Sequence, residues 1–176
     1  MTDSTFGTES ALGEAELKTI RGEDGGVVLC FSCRRTGHCR LGLTEESLIE
    51  FGSTVTRLSC PSDHEGGPGV AHGGWTAAAL DEILGHMVLL SGHMAVTGSL
   101  TVEFLKPVPI ERELEARAWL DRREDGKWHN VGELRLISTG ALLARATGIF
   151  VERNPTAHFA RQKQWLADQD RLTKGG

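Results

Sequence analysis

Residues 74–91, GWTAAALDEILGHMVLLS, constrain this chain more than any other stretch. On a helix, Trp75, Ala78, Leu80, Ile83, Leu84, Met87, Val88 and Leu90 fall on almost every side. A helix apolar all round cannot lie on a surface and must be enclosed on most sides. Gly92 is placed to end it in a left-handed turn. The rest of the chain must therefore supply a wrapper.

Beyond the helix the chain is β-patterned. In AVTGSLTVEFLKP, Val96, Leu100, Val102 and Phe104 alternate with Thr97, Ser99, Thr101 and Glu103, as a half-buried strand requires. ELEARAWL alternates as well; an Asp-Gly turn comes next, then the return strand WHNVGELRLIS and a final ALLARATGIFVE. These four strands read as a meander. Upstream, GGVVLCFSC, RLGLT and STVTRL are shorter strand candidates, and SCPSDHEGGPGVAHGG is a turn-rich loop. The economical architecture is α+β, an antiparallel sheet wrapped around one central helix. The polar residues 1–25 are expected to be flexible and 26–155 to form the domain. Residues 156–176 are expected to be a C-terminal helix and tail anchored by Trp165 and Leu166.

The formal net charge of −5 argues against a nucleic-acid partner, which needs a basic face. No stretch is apolar and long enough to span a membrane: ILGHMVLLSG is short and contains His86. Four cysteines without a recognisable secretion signal read as thiols of a cytoplasmic protein. CFSCRRTGHC, residues 30–39, resembles a zinc knuckle. Position 43, where the fourth ligand would fall, is leucine, and Cys39 directly follows His38, which makes a four-ligand shell awkward. The segment is read as a structural lead-in, and no metal is expected.

Chemistry concentrates at AHGGWTAAALDE. His72, Gly73 and Gly74 precede the helix, whose first backbone N–H groups lack intrahelical acceptors and attract developing negative charge. Glycine lets a substrate approach that backbone closely. Asp81 lies further along the same apolar helix, where burial should raise its pKa and its basicity. Helix N–H donors can polarise a carbonyl, and a buried carboxylate can activate or supply a nucleophile.

HGGWTAAALDE resembles the signature of hotdog-fold acyl-CoA thioesterases of the PaaI-like, phenylacetate-degradation type, with a carboxylate nine residues after the histidine. The resemblance runs from about Cys30 to Val151 and takes in EGGPGVAHGG, VEFLKPV and ATGIFV. It implies a hotdog fold and metal-independent hydrolysis of an acyl- or aroyl-CoA thioester to free acid and CoA. No cofactor is implied, since coenzyme A belongs to the substrate. Asp81 matches the catalytic carboxylate, as nucleophile or general base. The N–H of Gly73, together with Gly74, matches the carbonyl-polarising site. Thr97 aligns with a hydroxyl that helps place water, and His72 orients the loop. Trp75 is assigned to the core or the acyl pocket, and Lys106 and Arg145 to the phosphates of coenzyme A.

Eight helical residues separate Gly73 from Asp81, a rise of about 12 Å. One thioester cannot touch both, so a shared reaction needs two antiparallel helices from different subunits. The resemblance implies the same, with active sites at a dimer interface; the expected smallest active unit is a homodimer, with dimer and tetramer both open as the final assembly. Where some relatives carry an Asn or Gln before HGG, SDHEGGPG has no amide, and Gly85 stands one turn after Asp81. A catalytically inactive domain that binds acyl-CoA as sensor or carrier is the alternative reading.

Overall fold

The computed structural model describes Leu12 and residues 26–174. In chain order these form α1 (Phe31–Arg34), β1 (Leu43–Glu50), β2 (Ser53–Leu58) and a 3-10 turn (Ser62–His64). Next come β3 (Glu65–Gly67), β4 (Val70–Ala71), α2 (Gly73–Leu90), β5 (Ala95–Phe104) and β6 (Leu114–Glu124). β7 (Lys127–Leu136), β8 (Leu142–Glu152) and α3 (Pro155–Lys174) complete the set. The expected flexible region, 1–25, lies outside the described residues apart from Leu12.

Six strands form one antiparallel sheet in the order β1-β2-β6-β7-β8-β5, with α2 against its inner face. That face carries many small residues: Ala116 and Ala118 on β6, Gly132 on β7, and Ala144 and Ala146 on β8. A Cβ on Gly132 would sit 3.5 Å from the Leu84 side chain, so small residues let the helix lie close. Leu80, Ile83, Leu84, Met87 and Val88 are completely buried. Val27, Cys60 and Val108 join the same core from outside the sheet and helix. The wrapper expected from the all-round apolar helix is present, with one exception. Ala78, Asp81, Glu82, Gly85 and Leu89 remain half-buried and form a single stripe along α2.

Two details differ from expectation. The last four strands are not a simple meander, because β5 pairs with β8 and forms the sheet edge, while β6 pairs with β2. Alternation reports which residues share a face, not which strands are neighbours, and the 105–113 connection carries the chain across to β6. The lead-in 26–33 is extended only to Cys30 and then makes one helical turn, closed by Arg34 N–H to the Cys30 carbonyl at 3.0 Å. Its Val28 N–H goes to the Glu46 carboxylate at 2.9 Å rather than to a strand. On α3 the contact to the rest of this chain is made by Phe159, which meets Phe31 edge-to-face at 6.1 Å, while Trp165 and Leu166, expected to anchor the helix on the surface or on a neighbour, stand exposed on this chain.

α2 stops where its sequence indicates: Gly92 takes a φ of +85° just beyond the Ser91 cap. The Asp125-Gly126 turn joining β6 to β7 has positive φ at both residues, the backbone twist a two-residue hairpin favours.

Candidate active site

Asp81 lies in the half-buried stripe of α2 and faces β5. Its Oδ1 accepts a hydrogen bond from Thr97 Oγ1 at 2.8 Å. Strict alternation would put Thr97 on the outer face with Ser99 and Thr101. Instead the β5–β8 register shifts between Thr97 and Ser99, and Thr97 stands opposite the inward-facing Phe150. The extra residue is Gly98, and this bulge turns the threonine toward the helix. A Cβ on Gly98 would come within 3.2 Å of the Ile149 carbonyl oxygen, so the bulge favours a residue without one.

Desolvation raises the Asp81 pKa above the ordinary carboxylate value, the Thr97 hydroxyl opposes that rise, and neighbouring Glu82 adds to it. Below Asp81 is a buried ionic group. His86 donates through Nδ1 to Glu46 Oε1 at 2.8 Å and through Nε2 to Glu82 Oε2 at 2.8 Å. Burial alone would lower the His86 pKa, but the two carboxylates raise it to about 9, so the ring is an imidazolium at neutral pH. The Glu82 carboxyl is held below its usual value mainly by its bond to His86. Glu46, from a strand 40 residues upstream of His86, gave no sequence signal; Gly98 did, because an isolated glycine inside a strand pattern suggests a bulge.

Asp81 and Thr97 open onto a cleft of about 590 Å³ whose walls are mostly apolar, including Val28, Phe31, Leu89, Met94 and Phe150. His72 caps α2, its Nδ1 accepting from Gly74 N–H at 2.9 Å. Its own N–H donates to the His64 carbonyl at 2.8 Å, and Gly66 passes so near that a Cβ there would lie 2.6 Å from His72 Cα. Gly74 N–H is thus occupied, whereas Gly73 N–H meets no acceptor among the described residues.

Gly73 faces a second, smaller hollow of about 290 Å³, shared with Phe104 and Lys106. One chain therefore brings Asp81 and Thr97 together, and separately Gly73 and Lys106, but does not join the two groups. Trp75 enters neither hollow: it is 3% exposed in the core, with its indole N–H on the Leu41 carbonyl at 3.2 Å. Arg145 lies on β8 between inward-facing Ala144 and Ala146, hence on the outer face, paired to Glu133 at 2.6 Å. Among the described residues no group of three or more His, Cys, Asp or Glu side chains is arranged to hold a metal ion.

The geometry defines a class: a long helix enclosed by an antiparallel sheet, with a carboxylate facing an apolar cleft. Residues 68–125 match the family model described as Thioesterase superfamily. The fold is the hotdog arrangement, and over residues 68–125 the chain is similar to that superfamily. It is 31% identical over 91 residues to acyl-coenzyme A thioesterase THEM4 of Bos taurus, covering 52% of this chain and 37% of that protein. To acyl-coenzyme A thioesterase THEM5 of Homo sapiens it is 29% identical over 128 residues, covering 66% and 52%. The chain thus spans about half, or less, of the length of these curated relatives. A phenylacetic acid degradation-related protein from Ralstonia eutropha JMP134 superposes with a TM-score of 0.60 at 24% identity, over 76% of this chain and 96% of that one. A Streptococcus mutans UA159 protein bound to acetyl-CoA gives a TM-score of 0.60 at 17% identity, over 66% and 93%. Among the described residues no helix is long and apolar enough to cross a membrane.

Proposed function

We propose that the protein hydrolyses an acyl- or aroyl-CoA thioester, with Asp81 as the catalytic carboxylate. The observation that carries this is the 2.8 Å bond from Thr97 to Asp81 at the wall of an apolar cleft. A half-buried carboxylate with a raised pKa is a stronger base than an exposed one, and it is held in one orientation by a hydroxyl. The likeness to proteins named acyl-CoA thioesterases and to one bound to acetyl-CoA supports the substrate class.

In the reaction one water is consumed, the acyl C–S bond is replaced by a C–O bond, and the thiolate leaves as the CoA thiol with a proton from that water. Asp81 either takes the proton from water or attacks the carbonyl itself and is then hydrolysed. Single turnover in ¹⁸O-water tests for direct attack. An unlabelled first product with the label on Asp81 establishes direct attack followed by water opening the anhydride at the Asp81 carbonyl; general-base catalysis labels the product and never Asp81.

The Gly73 N–H at the start of α2 would polarise the carbonyl oxygen. Because it lies about 12 Å along the helix from Asp81, we assign the two groups of one site to different subunits of a homodimer. β5, the long and largely exposed sheet edge, supports pairing there. We take residues 26–155 as the domain unit, and the unbridged thiols fit a cytoplasmic setting.

The test is release of free thiol from a panel of acyl-CoAs. Asp81→Asn, close in shape, should reduce kcat by about 100-fold or more. Acyl-CoA binding without turnover in the native protein would instead assign a sensor or carrier.

A further inference from the structure

We infer that the acyl group is a neutral, unbranched aliphatic chain of medium length, laid along α2 from Asp81 past Gly85 to Leu89, and that Gly85 sets that length. This rests on the hydrolase reading above. Asp81, Gly85 and Leu89 succeed one another at four-residue intervals on the half-buried stripe, and all three line the same cleft. From Asp81 to Leu89 the helix rises about 12 Å. An extended hydrocarbon with C–C bonds of about 1.5 Å advances about 1.25 Å per carbon, so this track accommodates roughly 8 to 12 carbons. The cleft volume of about 590 Å³ is ample for such a chain.

Gly85 carries the specificity. Glycine inside a helix is unfavourable relative to alanine, so its place there calls for a reason. The backbone gives none, because Gly85 is absent from the positive-φ glycines. Packing gives none either, because a Cβ would meet Phe150 at an ordinary 3.4 Å. What the missing side chain leaves is open floor midway along the track. Glu82 lies beside it with a carboxylate bonded to His86, and Asp81 supplies a second acid at the near end. Arg34 and the His86 imidazolium line the same cleft and offset these two acids, so the neutral class rests on the mostly apolar walls, where an acyl group ending in a carboxylate would lose its hydration.

The experiment measures kcat/KM for CoA esters of 4, 6, 8, 10, 12 and 16 carbons, with phenylacetyl-CoA and glutaryl-CoA beside them. The expected result is a rise of about threefold to fourfold per methylene to a maximum between 8 and 12 carbons, with glutaryl-CoA poorest. In Gly85→Leu the ratio of decanoyl to butanoyl kcat/KM should fall at least about tenfold. Gly85→Ala, whose methyl fits against Phe150, guards against misfolding and should move the optimum in the same direction by less. A maximum at butanoyl-CoA or phenylacetyl-CoA, or an unchanged profile in both variants, overturns the inference. If no ester is hydrolysed, the hydrolase reading falls, and calorimetry decides the inference alone. Decanoyl-CoA binding tighter than butanoyl-CoA, with the difference lost in Gly85→Leu, sustains it; equal binding ends it.

Discussion

The hydrogen bond from Thr97 to Asp81 sets how basic the carboxylate is and where it points. Burial raises the Asp81 pKa, and the threonine hydroxyl, by bonding to the charged form, lowers it. Removing the hydroxyl should therefore raise the pKa further. In Thr97→Val the acid limb of the pH dependence of kcat/KM should move to higher pH, and kcat should fall about tenfold as Asp81 loses its fixed orientation. Thr97→Ser should restore both, and an acid limb that stays in place in Thr97→Val would sever the pair. Asp81 was legible in the sequence because an acid in an all-apolar helix, nine residues after His72, has few structural explanations. The facing of Thr97 was not, because one bulge at Gly98 reverses the alternation that otherwise reports it.

At the scale of elements, the Glu46–His86–Glu82 group ties β1 to α2, and through Val28 N–H it ties the lead-in segment to both. The His86 pKa is raised to about 9, above the ordinary histidine value of 6.5. A group whose folded pKa is raised stabilises fully below its unfolded value and loses that contribution as pH rises through the folded one. Stability from His86 should thus be whole below about pH 6.5 and fade by about 3 kcal/mol as pH climbs through 9. Urea midpoints at pH 6, 7.5 and 9.5 measure this, and a flat series would contradict it. His86→Leu leaves two carboxylates facing one another without their cation and should cost about 3–5 kcal/mol. The strands and the helix were readable from local periodicity. This ionic group was not, since its members meet only after β1 is threaded beside α2, and the place of β5 beside β8 is likewise set by a crossover that alternation does not encode.

At the scale of the whole molecule, the proposed hydrolysis asks how two groups at opposite ends of one helix segment would serve one thioester. The separation was already fixed by the rise of α2, and the fold adds that Asp81 and Gly73 open onto different hollows. Mixing two defective variants tests a shared site directly. Asp81→Ala removes the carboxylate and leaves the helix start intact. Gly73→Pro removes the N–H at the first helical position, where proline fits the helix and that donor has no intrahelical partner. The site tolerates it: His72 is already extended at φ −60° and ψ 139°, and a Cβ at residue 73 would meet only the Phe104 ring, at 3.6 Å. Each variant alone should be nearly inactive. After co-refolding in equal amounts, half the dimers are mixed, and each mixed dimer has one site with both Asp81 and the Gly73 N–H. Activity should therefore recover to about a quarter of the native value. No recovery, with mixed dimers demonstrated by mass, would place both groups of each site within one chain.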